Sequence, residues 1–284
     1  MSTSVSSVFM RFPEGRAKAL TFSYDDGLYL DRRLISLLDE QGMKGTFNVN
    51  CGMFAPEEGF REDWTGQRMT EAQIQETYAD GRHEIAVHGY THPFLDTLSP
   101  AAATREVMQD REKLEGMFGR IVRGMAYPYG TYTDATVEVL RACGIAYART
   151  THSTEGFDLP QDWLRLSATC HHINPRLMEL AEKFVDMKVY HHAKLFYLWG
   201  HTYEFGDRNE WPLIEEFIRF MGGREDTVWY ATNLEIYEYM QDFDRLVFSC
   251  DATLVHNPTN RKLWFALGSH RNVRSVEPGQ TLKL

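Results

Sequence analysis

The sequence has no apolar run that approaches the roughly 20 residues a membrane-spanning helix requires. Residues 1–8 are rich in serine and have neither a basic start nor an apolar segment, so they do not resemble a secretory signal peptide. We therefore predict a cytoplasmic protein without a membrane partner. Cysteines are also few: Cys51, Cys143, Cys170 and Cys250 form no CxxC pair, and we predict reduced thiols, as is usual in the cytoplasm.

Basic residues are outnumbered by acidic ones. The chain has 30 Lys and Arg against 40 Asp and Glu, which gives a formal net charge of -10. Binding to nucleic acids requires a basic surface that neutralises phosphates, so we expect no nucleic-acid partner. Neutral substrates such as sugars are compatible with this charge, and aromatic residues, at 13% of the chain, supply flat faces that stack on sugar rings.

Between residues 18 and 244, short β-prone runs alternate with segments of helical periodicity. About seven or eight such units predict an α/β fold with a parallel sheet and outer helices. A barrel and a doubly wound open sheet both fit this alternation. The barrel is favoured, because unusual polar residues fall just after the C-terminal ends of strands, where barrel enzymes carry their chemistry.

The two ends of the chain differ from this central domain. Residues 1–17 are interpreted as an N-terminal extension. From residue 245 to residue 284, short strand-like runs separated by turns predict a β appendage that is too small to be stable alone. We interpret the appendage as a structural cap. The alternatives are that its exposed face binds substrate or a second subunit, which leaves a homo-oligomer open.

The most informative stretch is ALTFSYDDG at residues 19–27. A β-prone run ends there in two adjacent carboxylates, Asp25 and Asp26, followed by Gly27. Side chains alternate along a strand, so the pair can reach one pocket only where the strand breaks into a loop, which Gly27 permits. Such a pair suits one residue that binds a metal and a neighbour that acts as a base. The alternative is a turn that merely closes a strand.

A pair of histidines, His88 and His92, directly follows another predicted strand. Imidazoles four residues apart come together on one helical turn or in a tight loop. With Asp26 they would supply three protein ligands and leave a coordination position open for water, which is the catalytic arrangement for Zn²⁺. The same ligand types also permit Fe²⁺, Co²⁺, Ni²⁺ or Mn²⁺.

Two further strand ends carry candidate catalytic groups. Pro128-Tyr129-Gly130 is either a stiff turn or a turn that directs the Tyr129 backbone N–H towards a developing oxyanion. His201 follows the strand that ends in Leu198-Trp199-Gly200, and its ordinary pKa near 6.5 suits a general acid.

Taken together and in this order, the motifs resemble the polysaccharide deacetylase family, whose shared unit is the NodB homology domain (carbohydrate esterase family 4-like). That family has a strand ending in TFDDG, followed by H-[ST]-x-x-H, R-x-P-[YF]-G, an Asp-Trp segment and L-x-H. The matching segments of this chain are residues 21–27, 88–92, 126–130, 162–163 and 198–201.

The resemblance extends over residues 18–240 and implies a distorted (β/α) barrel of seven or eight units that hydrolyses an N- or O-acyl group with a divalent metal. The implied roles are Asp25 as general base, Asp26, His88 and His92 as metal ligands, Tyr129 as the oxyanion-hole N–H donor and His201 as general acid.

The chain departs from the family pattern in four places. Residues 23–24 are inserted before the Asp pair, so this strand end is expected to bulge, and one residue is inserted before His201. Gly89 replaces the Ser or Thr whose hydroxyl braces the metal loop in the family. Ala126 stands where the family has an arginine that orients the base. Arg123 is not an obvious substitute, and the pair His171-His172 or another polar group is a candidate for that role.

We therefore predict a metal-dependent deacetylase, with Zn²⁺ as the first choice of metal. Because the protein is predicted to be cytoplasmic, a small acylated sugar or a related soluble amide is favoured over a cell-wall polymer. One alternative is an allantoinase-type hydrolase that opens cyclic ureides, since sequences related to this barrel do so. A second is a carbohydrate-binding protein without catalysis, which the replacement at Ala126 suggests.

Overall fold

The computed structural model describes residues 7–284. The first six residues of the predicted N-terminal extension lie outside this range. The described strands, numbered along the chain, are β1 (Val8–Arg11), β2 (Lys18–Asp25), β3 (Thr46–Val49), β4 (Glu84–Val87), β5 (Gly124–Ala126), β6 (Tyr147–Ser153), β7 (Leu166–Ala168), β8 (Cys170–His171), β9 (Lys194–Gly200), β10 (Val228–Tyr230), β11 (Val247–Phe248), β12 (Leu254–His256), β13 (Leu263–Leu267), β14 (Val273–Val276) and β15 (Thr281–Lys283).

The central element is a nine-stranded sheet in which all pairings are parallel. Its order is β7-β6-β5-β4-β3-β2-β9-β8, and β10 pairs with the first half of β2. The two end strands, β7 and β8, are separated in the chain only by Thr169, whose N–H donates to the Tyr197 carbonyl at 2.9 Å. The sheet therefore returns to its starting point, and the predicted α/β distorted barrel is confirmed.

Helices cover the outside of the sheet. They are α1 (Asp31–Glu40), α2 (Glu71–Thr77), α3 (Pro100–Phe118), α4 (Asp134–Ala142), α5 (Leu177–Asp186), α6 (Thr202–Asp207), α7 (Trp211–Met221) and α8 (Asn233–Asp244). The N-cap residues Thr70, Ser99 and Thr133 each accept a backbone N–H with their hydroxyl oxygen. Among residues 7–284, no helix combines the length and apolar character needed to cross a membrane.

The strands of the barrel are buried because helices and the appendage cover them. Leu20, Phe22 and Tyr24 of β2 belong to the main core between sheet and helices, whereas Ala19 belongs to a second core beneath the appendage. A strand covered on both faces is apolar at successive positions. The buried polar groups at the end of β2 are therefore exceptions that need partners.

The appendage consists of two three-stranded antiparallel sheets, β1-β13-β14 and β11-β12-β15. Part of the predicted N-terminal extension, β1, is the edge strand of the first sheet. Tyr239 of α8 donates its hydroxyl to the Arg11 carbonyl at 2.7 Å and accepts the Trp264 N–H at 3.0 Å. This side chain joins the barrel to the appendage, whose role as a structural cap stays a prediction.

Candidate metal and catalytic site

The site begins where β2 ends. Asp25 is the last residue of the strand, and Asp26 has a left-handed backbone with φ of 83°. This change of backbone direction brings two consecutive carboxylates to one region. The expected bulge is absent, because β2 and β3 pair in regular register up to Asp25 opposite Asn48. Ser23 and Tyr24 therefore continue the strand regularly, and side chains alternate between its two faces up to Asp25.

The predicted metal ligands converge. Ligand atoms of Asp26, His88 and His92 all lie within 4.8 Å of one another. His88 Nδ1 donates to the Ala126 carbonyl at 2.8 Å, which directs the other ring nitrogen, Nε2, into this group. Nε2 is buried and has no hydrogen-bond partner among the described residues. A buried ring nitrogen that makes no hydrogen bond is free to bind a metal, so these residues suit a divalent cation.

The loop that carries the two histidines is braced from β3. Asn50 donates to the carbonyls of His88 and Gly89 at 2.6 and 2.8 Å. Gly89 has φ of 74°, and a Cβ there would lie 3.2 Å from Cγ of Pro128. The close packing and the backbone angle both favour glycine. Asn50 thus supplies a brace in this loop, which lacks the family's Ser or Thr hydroxyl.

A buried carboxylate on α3 holds the same loop from behind. Asp110 accepts the His88 N–H at 2.9 Å and the Cys51 N–H at 2.7 Å. Burial raises the pKa of Asp110 to about 7. The sequence interpretation missed this residue. Its signal was an acidic residue at helical spacing from the apolar Val107 and Leu114.

Arg68 fixes the position of the metal ligand Asp26. One guanidinium nitrogen donates to Asp26 Oδ1 at 2.8 Å, and another donates to Asn50 Oδ1 at 2.8 Å. Burial favours a raised pKa for Asp26, but the charges of His88 and Arg68 outweigh burial and lower it. Arg68 was not predicted either, since it is one of several charged residues in a long loop.

Asp25 is held by partners from two other strands, β3 and β6. Asn48 donates to Asp25 Oδ1 at 2.8 Å, and the Arg149 guanidinium donates to Oδ2. Burial alone would raise the pKa of Asp25, but the adjacent charges, Arg149 first, lower it to about 2. Arg149 is itself buried and stacks 4.3 Å from the centre of the Trp199 ring.

The family has an arginine at the position of Ala126, and this chain carries a counterpart one strand away. Arg149 on β6 pairs directly with Ala126 on β5. Residues opposite each other on adjacent strands point to the same face of a sheet. The structure thus places Arg149, rather than His171 or His172, on the carboxylate of Asp25.

His201 faces Asp25 with one ring nitrogen and Glu204 with the other. The distances are 3.7 Å from Nε2 to Asp25 Oδ2 and 3.4 Å from Nδ1 to Glu204 Oε2. Burial would lower the pKa of His201, but the hydrogen bond to Glu204 and the charge of Asp25 outweigh it and raise the pKa. Glu204 was missed because α6, which begins directly after His201, was not predicted.

Tyr129 forms an exposed aromatic platform beside the metal ligands. Its backbone is left-handed, with φ of 60°. The ring stacks on Phe94 with centroids 3.8 Å apart and lies edge-on to His92 at 4.5 Å. About half of each side chain is exposed. The platform therefore borders the predicted ligands with a flat surface that solvent can reach.

The Asp162-Trp163 segment does not join this site. Asp162 pairs with Arg165 at 2.5 Å, and Trp163 packs edge-on against Tyr237 at 5.1 Å. These contacts belong to the outside of β7 and α8. The carboxylate that contacts His201 is instead Glu204.

Comparisons with known proteins agree with the motifs. Residues 13–148 match the family model described as polysaccharide deacetylase. A chitooligosaccharide deacetylase of Rhizobium leguminosarum bv. phaseoli is 27% identical over 147 residues, which are 51% of this chain and 56% of that protein. The chain thus covers just over half the length of this curated relative.

Two solved structures share the fold. A putative polysaccharide deacetylase from Mycobacterium smegmatis has a TM-score of 0.55 and 18% identity, covering 86% of this chain and 96% of that chain. The Xyl-CE4 domain of a multidomain xylanase from the hindgut metagenome of Trinervitermes trinervoides has a TM-score of 0.50 and 14% identity, covering 79% and 92%. At these identities the likeness concerns the fold.

Proposed function

Because residues 13–148 match the family model of polysaccharide deacetylases, we propose that the protein is a metal-dependent deacetylase. It removes an acetyl or other small acyl group from an N-acylated sugar or a related small amide. The observation that carries the proposal is the position of Asp25 Oδ2, which lies 3.8 Å from His88 Nε2 and 3.7 Å from His201 Nε2. Asp25, the proposed base, thus lies between His88, a proposed metal ligand, and His201, the proposed acid.

Asp26, His88 and His92 hold the divalent cation, and two imidazoles with one carboxylate suit Zn²⁺ first. Such a cation supplies Lewis acidity, which activates water at neutral pH and polarises a carbonyl. Asn50 and Asp110 keep the His88 backbone in place. The Ala126 carbonyl accepts a hydrogen bond from Nδ1 and so fixes the tautomer of the His88 ring. The chain therefore presents His88 Nε2 in the state that a cation requires.

Asp25 takes the proton of the attacking water. Its low pKa keeps it ionised at neutral pH, and Asn48 and Arg149 hold both oxygens in fixed positions. The Tyr129 N–H donates to the acyl oxygen as negative charge develops there. His201 then gives the proton on Nε2 to the leaving amine, while Glu204 orients the ring through Nδ1.

The platform of Phe94 and Tyr129 supports a sugar as substrate. Two stacked rings with exposed faces beside His92 offer a surface for the apolar face of a pyranose. A cytoplasmic location, which stays a prediction, favours a small acylated sugar or sugar conjugate. The intact set of three metal ligands favours deacetylation over the opening of a cyclic ureide.

The test is acetate release by the full chain, first stripped of metal with a chelator and then reloaded with Zn²⁺. The substrates are N-acetylated monosaccharides and oligosaccharides, with cyclic ureides as the competing class. We expect acetate from an acetylated sugar only after metal is restored. Ring opening of a ureide without acetate release would favour the allantoinase-type alternative. Metal binding without hydrolysis of any substrate would favour a binding protein.

A further inference from the structure

The carboxylate that orients His201 is itself held by another imidazole. Oε2 of Glu204 accepts the His201 backbone N–H at 3.2 Å and lies 3.4 Å from His201 Nδ1. The same oxygen lies 3.1 Å from Nε2 of His171, and only 9% of the Glu204 side chain is exposed. His171 ends β8, His201 follows β9, and Glu204 belongs to the first turn of α6. Three elements therefore meet at one carboxylate oxygen.

The direction of the hydrogen bond between His171 and Glu204 is fixed by the backbone. His171 Nδ1 accepts the Ile173 N–H at 3.2 Å, within the turn that follows β8. A ring nitrogen that accepts a hydrogen bond carries no proton, so in the neutral ring Nε2 carries the proton and donates it to Glu204. The ring also lies edge-on to Trp199, with centroids 4.4 Å apart. His171 is thus a fixed hydrogen-bond donor to Glu204.

His172 closes another side of Glu204 to water. Its side chain is 1% exposed, and Nε2 lies 3.3 Å from Glu204 Oε2. The ring packs on Phe205 with centroids 4.2 Å apart, and a Cβ at Gly200 would overlap it, so glycine makes room for the imidazole. Burial lowers the pKa of His172 to about 4, so the ring is neutral at pH 7. Hydrogen bonds to Glu204 are stronger in surroundings of such low polarity.

Glu204 is ionised at neutral pH. Burial would raise its pKa, but the hydrogen bonds from the imidazoles, His171 first, outweigh burial and hold the pKa well below its usual range. An ionised carboxylate on Nδ1 stabilises the charged form of His201, in which Nε2 carries the proton that a leaving amine needs. A displaced Glu204 would therefore displace both the ring of His201 and its proton.

We propose that His171 is a positioning residue for the acid. Its Nε2–H holds Glu204 Oε2 in the place from which this oxygen orients Nδ1 of His201. The role rests on the proposed function, because it belongs to the step in which the amine leaves. The histidine pair that the sequence offers as support for the base thus lies on the side of the acid.

This role makes the effect of His171 depend on the leaving group. A sugar amine must receive a proton as the C–N bond breaks, whereas 4-nitrophenolate leaves an acetate ester at neutral pH without one. Loss of His171 should therefore slow hydrolysis of the amide and spare hydrolysis of the ester. The base and the metal ligands serve both substrates, so loss of Asp25 or His88 should slow both reactions.

The test compares kcat for an N-acetylated sugar with kcat for 4-nitrophenyl acetate, using the zinc-loaded full chain. His171→Phe keeps a ring against Trp199 but has no donor. We expect it to lose about tenfold for the sugar and less than about threefold for the ester, since general acid catalysis contributes about 10²–10⁴ in all. His171→Gln can donate from its side-chain amide and should recover most of the loss.

Two controls accompany these variants. Zinc content should equal that of the wild type in both, which shows that the site of Asp26, His88 and His92 is folded. The matched control is His192→Phe, which makes the same change at an exposed histidine and should leave both rates unchanged.

Long-range ¹H–¹⁵N NMR spectra test the hydrogen bond without a substrate. The signals of His171 are identified by their absence from His171→Phe, and they should show an unprotonated Nδ1 and a protonated Nε2. The opposite tautomer would overturn the inference whatever the rates are.

The rates separate this inference from the proposed function. Equal losses for sugar and ester in His171→Phe, no loss for either, or a loss that His171→Gln does not recover would overturn the positioning role and leave the deacetylase intact. A wild type that releases no acetate from any sugar would contradict the proposed function itself, and the role of His171 would fall with it.

Discussion

Arg149 lies directly opposite Ala126 across two parallel strands, and its guanidinium donates to the carboxylate of Asp25. The positive charge beside the candidate base is thus present, although it comes from the neighbouring strand. Stacking on Trp199 covers one face of this guanidinium. The departure from the family pattern at Ala126 is therefore a relocation of the arginine rather than a loss.

Removal of this charge should weaken the base. In Arg149→Met, burial of Asp25 is no longer opposed by its main counter-charge, so the pKa of Asp25 should rise from about 2. Less of the base is then ionised, and the acid limb of the profile of kcat/KM against pH should move to higher pH. We expect activity at pH 7 to fall by about 100-fold or more.

Two controls accompany this variant. Breaking a buried ion pair destabilises a protein by about 3–5 kcal/mol, so urea unfolding must show that Arg149→Met is folded at the assay temperature. Arg149→Lys keeps the charge and should keep the acid limb nearer to that of the wild type. An unchanged pH profile in a folded Arg149→Met protein would refute the role of this residue.

Asn50 should control how tightly the site of Asp26, His88 and His92 holds its cation. In Asn50→Ala, the carbonyls of His88 and Gly89 lose their donors, so the histidine loop is no longer fixed. Loss of such an outer partner weakens metal affinity by about 10–100-fold. Competition with a chromophoric zinc chelator measures this change. Asn260→Ala, in an exposed turn of the appendage, should bind as the wild type does, and equal affinities in both variants would contradict the bracing role.

Asp31 should make the protein less stable as pH rises. It accepts the Thr202 hydroxyl at 2.6 Å and the Leu28 N–H at 3.0 Å, and burial raises its pKa to about 8. The unfolded carboxyl loses its proton near pH 3.9. Between about pH 4 and 8 the folded state binds more protons, so the free energy of unfolding falls across this range.

Asp31→Asn removes this titration and can keep both contacts, with the amide donating to Thr202. Urea unfolding at pH 5.5 and 8.5 should show a smaller loss of stability for the variant. The difference should exceed about 1 kcal/mol, the value of a pKa change of roughly one unit. Equal losses in the two proteins would show that Asp31 does not titrate in this range.

The aromatic platform should contribute to substrate binding more than to chemistry. Phe94→Ala removes one of two stacked rings, and we expect KM for the acetylated sugar to rise by about two- to tenfold, since such contacts contribute about 0.5–1.5 kcal/mol. The value of kcat should change by less than about threefold. Tyr190→Ala, an equally exposed aromatic next to His270, is the control and should leave KM unchanged. A fall in kcat with constant KM would place Phe94 in the chemistry instead.

The sequence was informative where chemistry lies within one short motif. Asp25, Asp26, His88, His92 and His201 lie at a strand end or within five residues after it, so local pattern and the barrel rule were enough to predict them as one group. The residues that support them could not be found this way. A supporting residue needs only to reach its partner in space, and Arg149 is 124 positions from Asp25 along the chain.

The same limit explains the other omissions. Glu204 lies three residues after His201, but a helix of six residues is too short for a periodic signal. Asp110 stood out only as an acidic residue on an apolar helix face. A strand of two residues such as β8 likewise carries little pattern of its own.

The most direct test of the account compares Asp25→Asn with His88→Ala in zinc content and acetate release. Asp25→Asn should retain the cation and lose at least about 100-fold in kcat, because the base is gone and the ligands remain. His88→Ala should lose that cation and the activity together. Acetate release by Asp25→Asn at the wild-type rate, or full retention of the cation in His88→Ala, would contradict the assignment of base and ligands.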